Sequence, residues 1–128
     1  FDPPFKKNLF FVYLNLKQSS KASIAQFQEV QDFDDQTLDH ISAISKELVR
    51  CGNQKDFNLL LEEHERIIGS VLGETPIQQR YFEDFSGQIK SLGAWGGDFM
   101  LVSTETDPRD YFRKKGFKTV IPYSKMVL

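Results

Sequence analysis

The segment of this sequence best suited to chemistry is rich in glycine. Gly93, Gly96 and Gly97 fall within five consecutive residues between two apolar runs. Glycine permits positive φ and a close approach of a ligand to the backbone, whose successive N–H groups can then face an anion. A hairpin with a β-bulge explains the same glycines without a ligand, so the residues alone leave both interpretations open. The predicted phosphate-side loop comprises Gly93, Ala94, Trp95, Gly96, Gly97 and Asp98.

A second polar segment follows the first apolar run and contains the substrate-side candidates Lys17, Ser19 and Ser20. Either serine can cap the helix predicted after it, and that role is compatible with ligand binding. Lys17 is an ordinary solvated lysine unless a phosphate lies at this helix start. Both a capping role and a substrate-side role therefore remain open for this segment.

His64 lies on the apolar side of a predicted helix, whereas Glu65 is grouped with its polar side. A histidine in such a place is expected to be a hydrogen-bonded interior residue rather than a catalytic one. The chain has only one further histidine, His40, and Cys51 is remote in sequence, so no spacing typical of metal ligands exists. This spacing predicts no metal site in the chain.

These residues must be positioned by four strands and several helices. Apolar runs predict strands over 8–16, 89–92, 99–103 and 118–123. The second and third strands are joined by the glycine-rich turn and therefore form a hairpin, while helices separate the others. The order predicts an α+β fold, a ferredoxin-like two-layer sandwich with a four-stranded antiparallel sheet. Its first helical crossover is enlarged to about four helices.

The predicted helices have recognisable ends. Apolar residues at 24, 27 and 30 mark the first, and Asp34 or Asp35 caps a second that stops at Gly52. The third ends at Gly73. A capping box from Thr75 to Gln78 starts a fourth helix that runs to Gly87, and a last helix lies between Pro108 and Gly116. The fourth is expected to bury three aromatic side chains, Tyr81, Phe82 and Phe85.

Composition limits the partners. The chain has 128 residues, 40% of them hydrophobic, which suits one domain spanning 1–128. Its 16 basic and 18 acidic residues give a net charge of −2 without a basic stripe, so nucleic acid is not an expected partner. No apolar stretch reaches the roughly 18 residues that cross a bilayer, so no membrane partner is expected. A single cysteine fits a reducing cytoplasm.

The glycine-rich segment resembles the third signature motif of the GHMP kinases, which include galactokinase, homoserine kinase and mevalonate kinase. Those enzymes usually read Lys-x-Thr-Gly-Ala-Gly-x-Gly-Gly-Cys. Lys90, Gly93, Ala94, Gly96 and Gly97 match, whereas Leu92, Trp95, Asp98 and Phe99 depart from the usual residues. The variant Gly-Ala-Trp-Gly-Gly-Asp-Phe and the ending of the chain resemble the bacterial GYDIA family of these kinases.

The resemblance covers nearly the whole chain, but only as the C-terminal domain of such a kinase. It implies transfer of the γ-phosphoryl of ATP, with Mg, to a small metabolite such as mevalonate or phosphomevalonate. In this family an N-terminal domain contains the Gly-Leu-Gly-Ser-Ser phosphate loop, the catalytic Asp and the Mg-binding acid. The resemblance therefore implies that such a domain of the same chain is the partner of residues 1–128. The start at Phe1 without Met suggests a piece of a longer protein. Residues 1–128 alone are expected to be inactive.

Two other functions remain open. Ferredoxin-like domains also serve as stand-alone modules that bind small ligands or dimerise. The run from Gly96 to Phe99 also resembles the Gly-Gly-Asp-Glu-Phe hairpin of diguanylate cyclases. That hairpin needs a second acid and a metal-binding Asp after the first strand, and residues 14–17 offer none. A degenerate cyclase-like domain is therefore the weakest of the three hypotheses.

Overall fold

The computed structural model of the chain describes residues 3–14, 35–92 and 99–126. A 3-10 turn at Lys6–Asn8 leads into the first strand, and five helices lie in these ranges. The strands are β1 (Leu9–Tyr13), β2 (Gln88–Ser91), β3 (Phe99–Ser103) and β4 (Val120–Pro122). The helices are α1 (Asp35–Arg50), α2 (Gln54–Leu72), α3 (Ile77–Tyr81), α4 (Arg109–Lys114) and α5 (Tyr123–Met126). The predicted helix at residues 24–30 lies outside the described residues.

The four strands form one antiparallel sheet in the order β2-β3-β1-β4. Sequential strands β2 and β3 are neighbours, while β1 reaches β2 through the helical crossover and β3 reaches β4 through α4. This is the ferredoxin-like order, and it confirms the predicted fold class. No helix in the described part of the chain is long and apolar enough to span a membrane.

The side chains of β1 alternate between two apolar cores, as the pleat of a strand requires. Phe10 and Val12 pack with the aromatic residues after α3 and with Phe112 of α4. Leu9 packs with Phe57 and Leu61 of α2. The enlarged crossover therefore also covers the second face of the sheet.

The helix ends follow local rules. Asn53 caps α2 by accepting a hydrogen bond from the amide of Asp56 at 2.8 Å, and Gly73 ends α2 with φ of 68°. Asp107 accepts from the amide of Arg109 at 3.0 Å, and Gly116 follows α4 with φ of 95°. The predicted ends at these glycines are confirmed.

The fourth predicted helix is wrong in length and in its start. It stops at Tyr81 instead of Gly87, and Pro76 precedes it without a side-chain cap. Gln78 does not close a capping box, because its side chain bonds the backbone of β2 instead. Phe82 and Phe85 are buried as predicted, but Tyr81 is 52% exposed. The chain must become extended by Gln88, which leaves no room for a longer helix.

Gly87 serves close packing rather than ending a helix. A Cβ atom there would lie 2.3 Å from the carbonyl oxygen of Ser103. We expect Gly87→Ala to lower the free energy of unfolding by about 3 kcal/mol, because the backbone of β3 must move. Gly52→Ala is the control, since nothing lies within 4 Å of its Cβ position, and it should change stability by less than about 0.5 kcal/mol. Equal denaturant midpoints for the two variants would contradict this packing.

Candidate functional site

The residues predicted to contact phosphate and substrate lie outside the described ranges. These are Lys17, Ser19 and Ser20 on one segment and Gly93, Ala94, Trp95, Gly96, Gly97 and Asp98 on the other. The structure does describe the residues from which both segments depart. The amide of Leu92 donates to the carbonyl of Phe99 at 3.2 Å, so the glycine-rich segment connects two paired strands, as predicted.

The end of β1 lies beside the start of β3, at the end of the sheet where β2 also stops. Tyr13 is opposite Phe99 in the register, and their rings lie 5.1 Å apart. Leu14 is the last described residue before the segment that contains Lys17. The chain therefore enters one candidate segment next to the position where it leaves the other.

Close to this end of the sheet, three ionisable side chains connect α2 to β2. The Nζ of Lys90 lies 2.9 Å from Nδ1 of His64 and 3.3 Å from Oε1 of Glu65. The ammonium donates to Nδ1, which makes His64 the neutral tautomer with its proton on Nε2. Glu65 is only 2% exposed. We call these three residues the Lys90 cluster.

The environment shifts the pKa values in this cluster. Burial, and then the charge of Lys90, lowers the pKa of His64 from 6.5 to about 4. Burial raises the pKa of Glu65, while Lys90 and then the backbone amide and hydroxyl of Ser91 oppose that rise. Oε2 of Glu65 nevertheless makes no hydrogen bond of standard geometry within the described part of the chain.

Sequence reasoning found His64 but missed Glu65. His64 is hydrogen-bonded, as predicted, although it is only partly buried. The assignment of Glu65 to the polar side of α2 is wrong, because the helix turns this residue toward β2. Its spacing held the signal: Glu65 follows Leu61 by four positions and precedes Ile68 by three, which places it on the apolar face.

A groove of about 460 Å³ borders the cluster. It runs between α2, the turn at Glu74–Pro76, α3 and the outer edge of β2, and Glu65 is one of its lining residues. Its side chains are mostly carboxylates and amides, which suit a small polar ligand. Within the ranges that the structure describes, no three His, Cys, Asp or Glu side chains converge to hold a metal ion.

Gln78 occupies part of the outer edge of β2. Its amide nitrogen donates to the carbonyl of Gly87 at 2.9 Å, and its oxygen accepts from the amide of Ile89 at 3.0 Å. These are bonds that an added strand would make with β2. The side chain therefore protects this edge strand from pairing with another chain.

The pKa of His64 predicts how stability responds to acid. Between about pH 4 and 6.5 the unfolded chain binds the proton that folded His64 excludes, so this residue's contribution to the free energy of unfolding falls as pH falls. The raised pKa of Glu65 acts in the opposite direction, since its contribution falls as pH rises above 4.5. After solvent screening we expect His64 to contribute about 1 to 2 kcal/mol over this window.

Chemical denaturation at several pH values checks this. His64→Gln keeps an acceptor for Lys90 but does not titrate, so the acid-side loss of stability should shrink relative to the wild type. His40→Gln is the control, because the half-exposed His40 of α1 lies 3.4 Å from Glu63 of α2 and pairs with that residue rather than with Lys90. Identical pH slopes for the wild type and His64→Gln would contradict the assignment.

No family model matches the sequence, and no curated protein matches it. Among solved structures, the chain is similar to a Lin0012 protein from Listeria innocua, with a TM-score of 0.68 and 18% identity. The match covers 95% of this chain and 39% of that chain. A likeness at this identity concerns the fold alone, and the chain spans about two fifths of the length of that protein. The comparisons thus support an α+β, ferredoxin-like domain.

Proposed function

We propose that this chain is the C-terminal domain of an ATP-dependent small-molecule kinase of the GHMP superfamily. One observation carries the proposal: the Lys-x-x-Gly-Ala-x-Gly-Gly segment that begins at Lys90 connects β2 and β3 of a ferredoxin-like sheet. The end of β1 at Tyr13, opposite Phe99, supports it, because the segment with Lys17, Ser19 and Ser20 follows that strand at the same end of the sheet. Mevalonate or phosphomevalonate is the proposed substrate, and the cytoplasm the proposed location.

The extent of the structural likeness fits this proposal. More than half of the Listeria protein lies outside the match, as expected if the present fold is one of two domains. A partner N-terminal domain of the same chain would hold ATP and Mg.

The proposed contribution of this domain is positional. Phosphoryl transfer depends chiefly on alignment and on stabilisation of charge at the phosphoryl oxygens, and ATP with Mg supplies the transferred group. Backbone N–H groups of Gly93–Asp98 would donate to phosphate, while Lys17, Ser19 and Ser20 would orient the acceptor. The base that activates the acceptor hydroxyl is assigned to the N-terminal domain.

A stand-alone ligand-binding module is the second candidate. The groove beside Glu65 favours it, because its volume of about 460 Å³ falls within the usual range for small-molecule sites. Such a module would bind its ligand without a second domain.

The coding sequence upstream of Phe1 distinguishes the two candidates. A Gly-Leu-Gly-Ser-Ser stretch within an N-terminal domain is the result that the kinase proposal requires. A chain that begins at or near Phe1, without such a domain, would contradict it and leave the ligand-binding module.

A further inference from the structure

The Lys90 cluster is an inefficient way to stabilise the fold, because its charges are buried. Lys90 is largely buried, with 17% of its side chain exposed, and Glu65 is more so, with 3%. Removing both charges from water costs several kcal/mol, so well-packed apolar residues often stabilise a protein as much as a buried ion pair does. The contacts of Glu65 with the backbone amide and hydroxyl of Ser91 offset part of that cost. A best-supported use of buried ionic groups is to specify one arrangement of the chain.

The geometry shows which arrangement is specified. His64 and Glu65 are consecutive on α2, so their side chains diverge by about 100° around the helix. Both nevertheless contact the same ammonium, at 2.9 Å from Nδ1 of His64 and 3.3 Å from Oε1 of Glu65. Contacts from two directions fix the Lys90 side chain more closely than one ion pair would.

The strand that receives this contact is β2, which lies at the edge of the sheet. In the described part of the chain it pairs with β3 on one side, and Ile89 anchors it in the core. Gln78 holds its first half through Gly87 and Ile89. The Lys90 cluster holds its second half. Lys90 lies two residues before Leu92, which is the last described residue before the glycine-rich segment.

We infer that Glu65 and His64 are positioning residues that act through Lys90 to fix the end of β2, from which the chain continues into the glycine-rich segment. For catalysis this inference rests on the proposed function, which gives that segment its role at phosphate. The positioning itself can be measured without any nucleotide or substrate. The two claims can therefore fail separately.

Trp95 provides the signal, since it is the only tryptophan in the chain and lies five residues after Lys90. Glu65→Gln removes the charge while keeping the size of the side chain. We expect it to shift the emission of Trp95 and to change the acrylamide quenching constant by at least about twofold in the 128-residue chain. The double variant Glu65→Gln with Lys90→Gln, a neutral pair able to hydrogen-bond, should restore part of the wild-type signal.

Glu63→Gln is the matched control. This neighbouring carboxylate lies on the exposed side of α2, where it contacts Arg66 and His40 rather than β2. It should leave the Trp95 signal unchanged. Circular dichroism must show each variant to be folded.

Unchanged emission and quenching in folded Glu65→Gln would overturn the inference and reduce the cluster to a stabilising contact. If Glu65→Gln does not fold, the same emission and quenching measurements are made on Lys90→Gln, which removes the other charge of the ion pair. Loss of the fold in both would identify the cluster as a determinant of folding and would also overturn the positioning role. None of these results depends on phosphoryl transfer.

Discussion

In the proposed two-domain kinase, Gly97→Val is expected to reduce kcat/KM by at least about 100-fold, which is roughly 2.7 kcal/mol of lost transition-state stabilisation. Two adjacent glycines after the bulky Trp95 suggest a backbone that must approach its ligand closely. A branched side chain would occupy that approach. A segment that faces phosphate requires the Asp98 carboxylate to be directed elsewhere, since carboxylate and phosphate repel at short distance.

A hairpin without a ligand predicts the opposite outcome for the same variant. Forcing Val into positive φ costs on the order of 1 to 3 kcal/mol of stability and leaves catalysis by the folded fraction nearly unchanged. Melting temperature and kcat/KM, measured together, separate the alternatives. A destabilised Gly97→Val protein with normal turnover would remove the functional role from this segment.

The second large effect concerns the 128-residue chain by itself. We expect it to unfold in one cooperative thermal transition, because two apolar cores cover both faces of its sheet. We also expect it to transfer no phosphoryl group from ATP to mevalonate, phosphomevalonate or galactose, because the proposed base and Mg ligands lie in the other domain. Measurable turnover by the purified 128-residue chain would contradict this division of the site.

The sheet could be predicted from the sequence because each strand is a short apolar run with a clear boundary. The run at 8–16 contains β1, although the strand is shorter than predicted: Asn8 belongs to the 3-10 turn, Leu14 lies outside the strand, and residues 15 and 16 lie outside the described ranges. The glycine-rich turn identifies β2 and β3 as a hairpin. Strand order then follows from which connections contain helices. These are local signals, so a single sequence carries them.

Features that depend on contacts between distant residues were not predictable in the same way. Gln78 fits a capping box in sequence, yet its side chain bonds β2 nine to eleven residues later. The sequence predicts Glu65 to be a surface carboxylate, but in the structure it is buried beside Lys90. Tyr81 reads as an interior aromatic residue, but its short helix leaves it exposed. For Gln78 and Glu65 a contact with a residue distant in sequence determines the position of the side chain, whereas for Tyr81 the early end of the helix does.

The central claim is that the longer protein containing this domain is a kinase for a small metabolite. The direct measurement is transfer of the labelled γ-phosphoryl of ATP, with Mg, to mevalonate, phosphomevalonate and galactose by that protein. The account predicts a phosphorylated product from mevalonate or phosphomevalonate, with transfer lost in Gly97→Val. A folded longer protein that binds these compounds or ATP but phosphorylates none of them would contradict the claim.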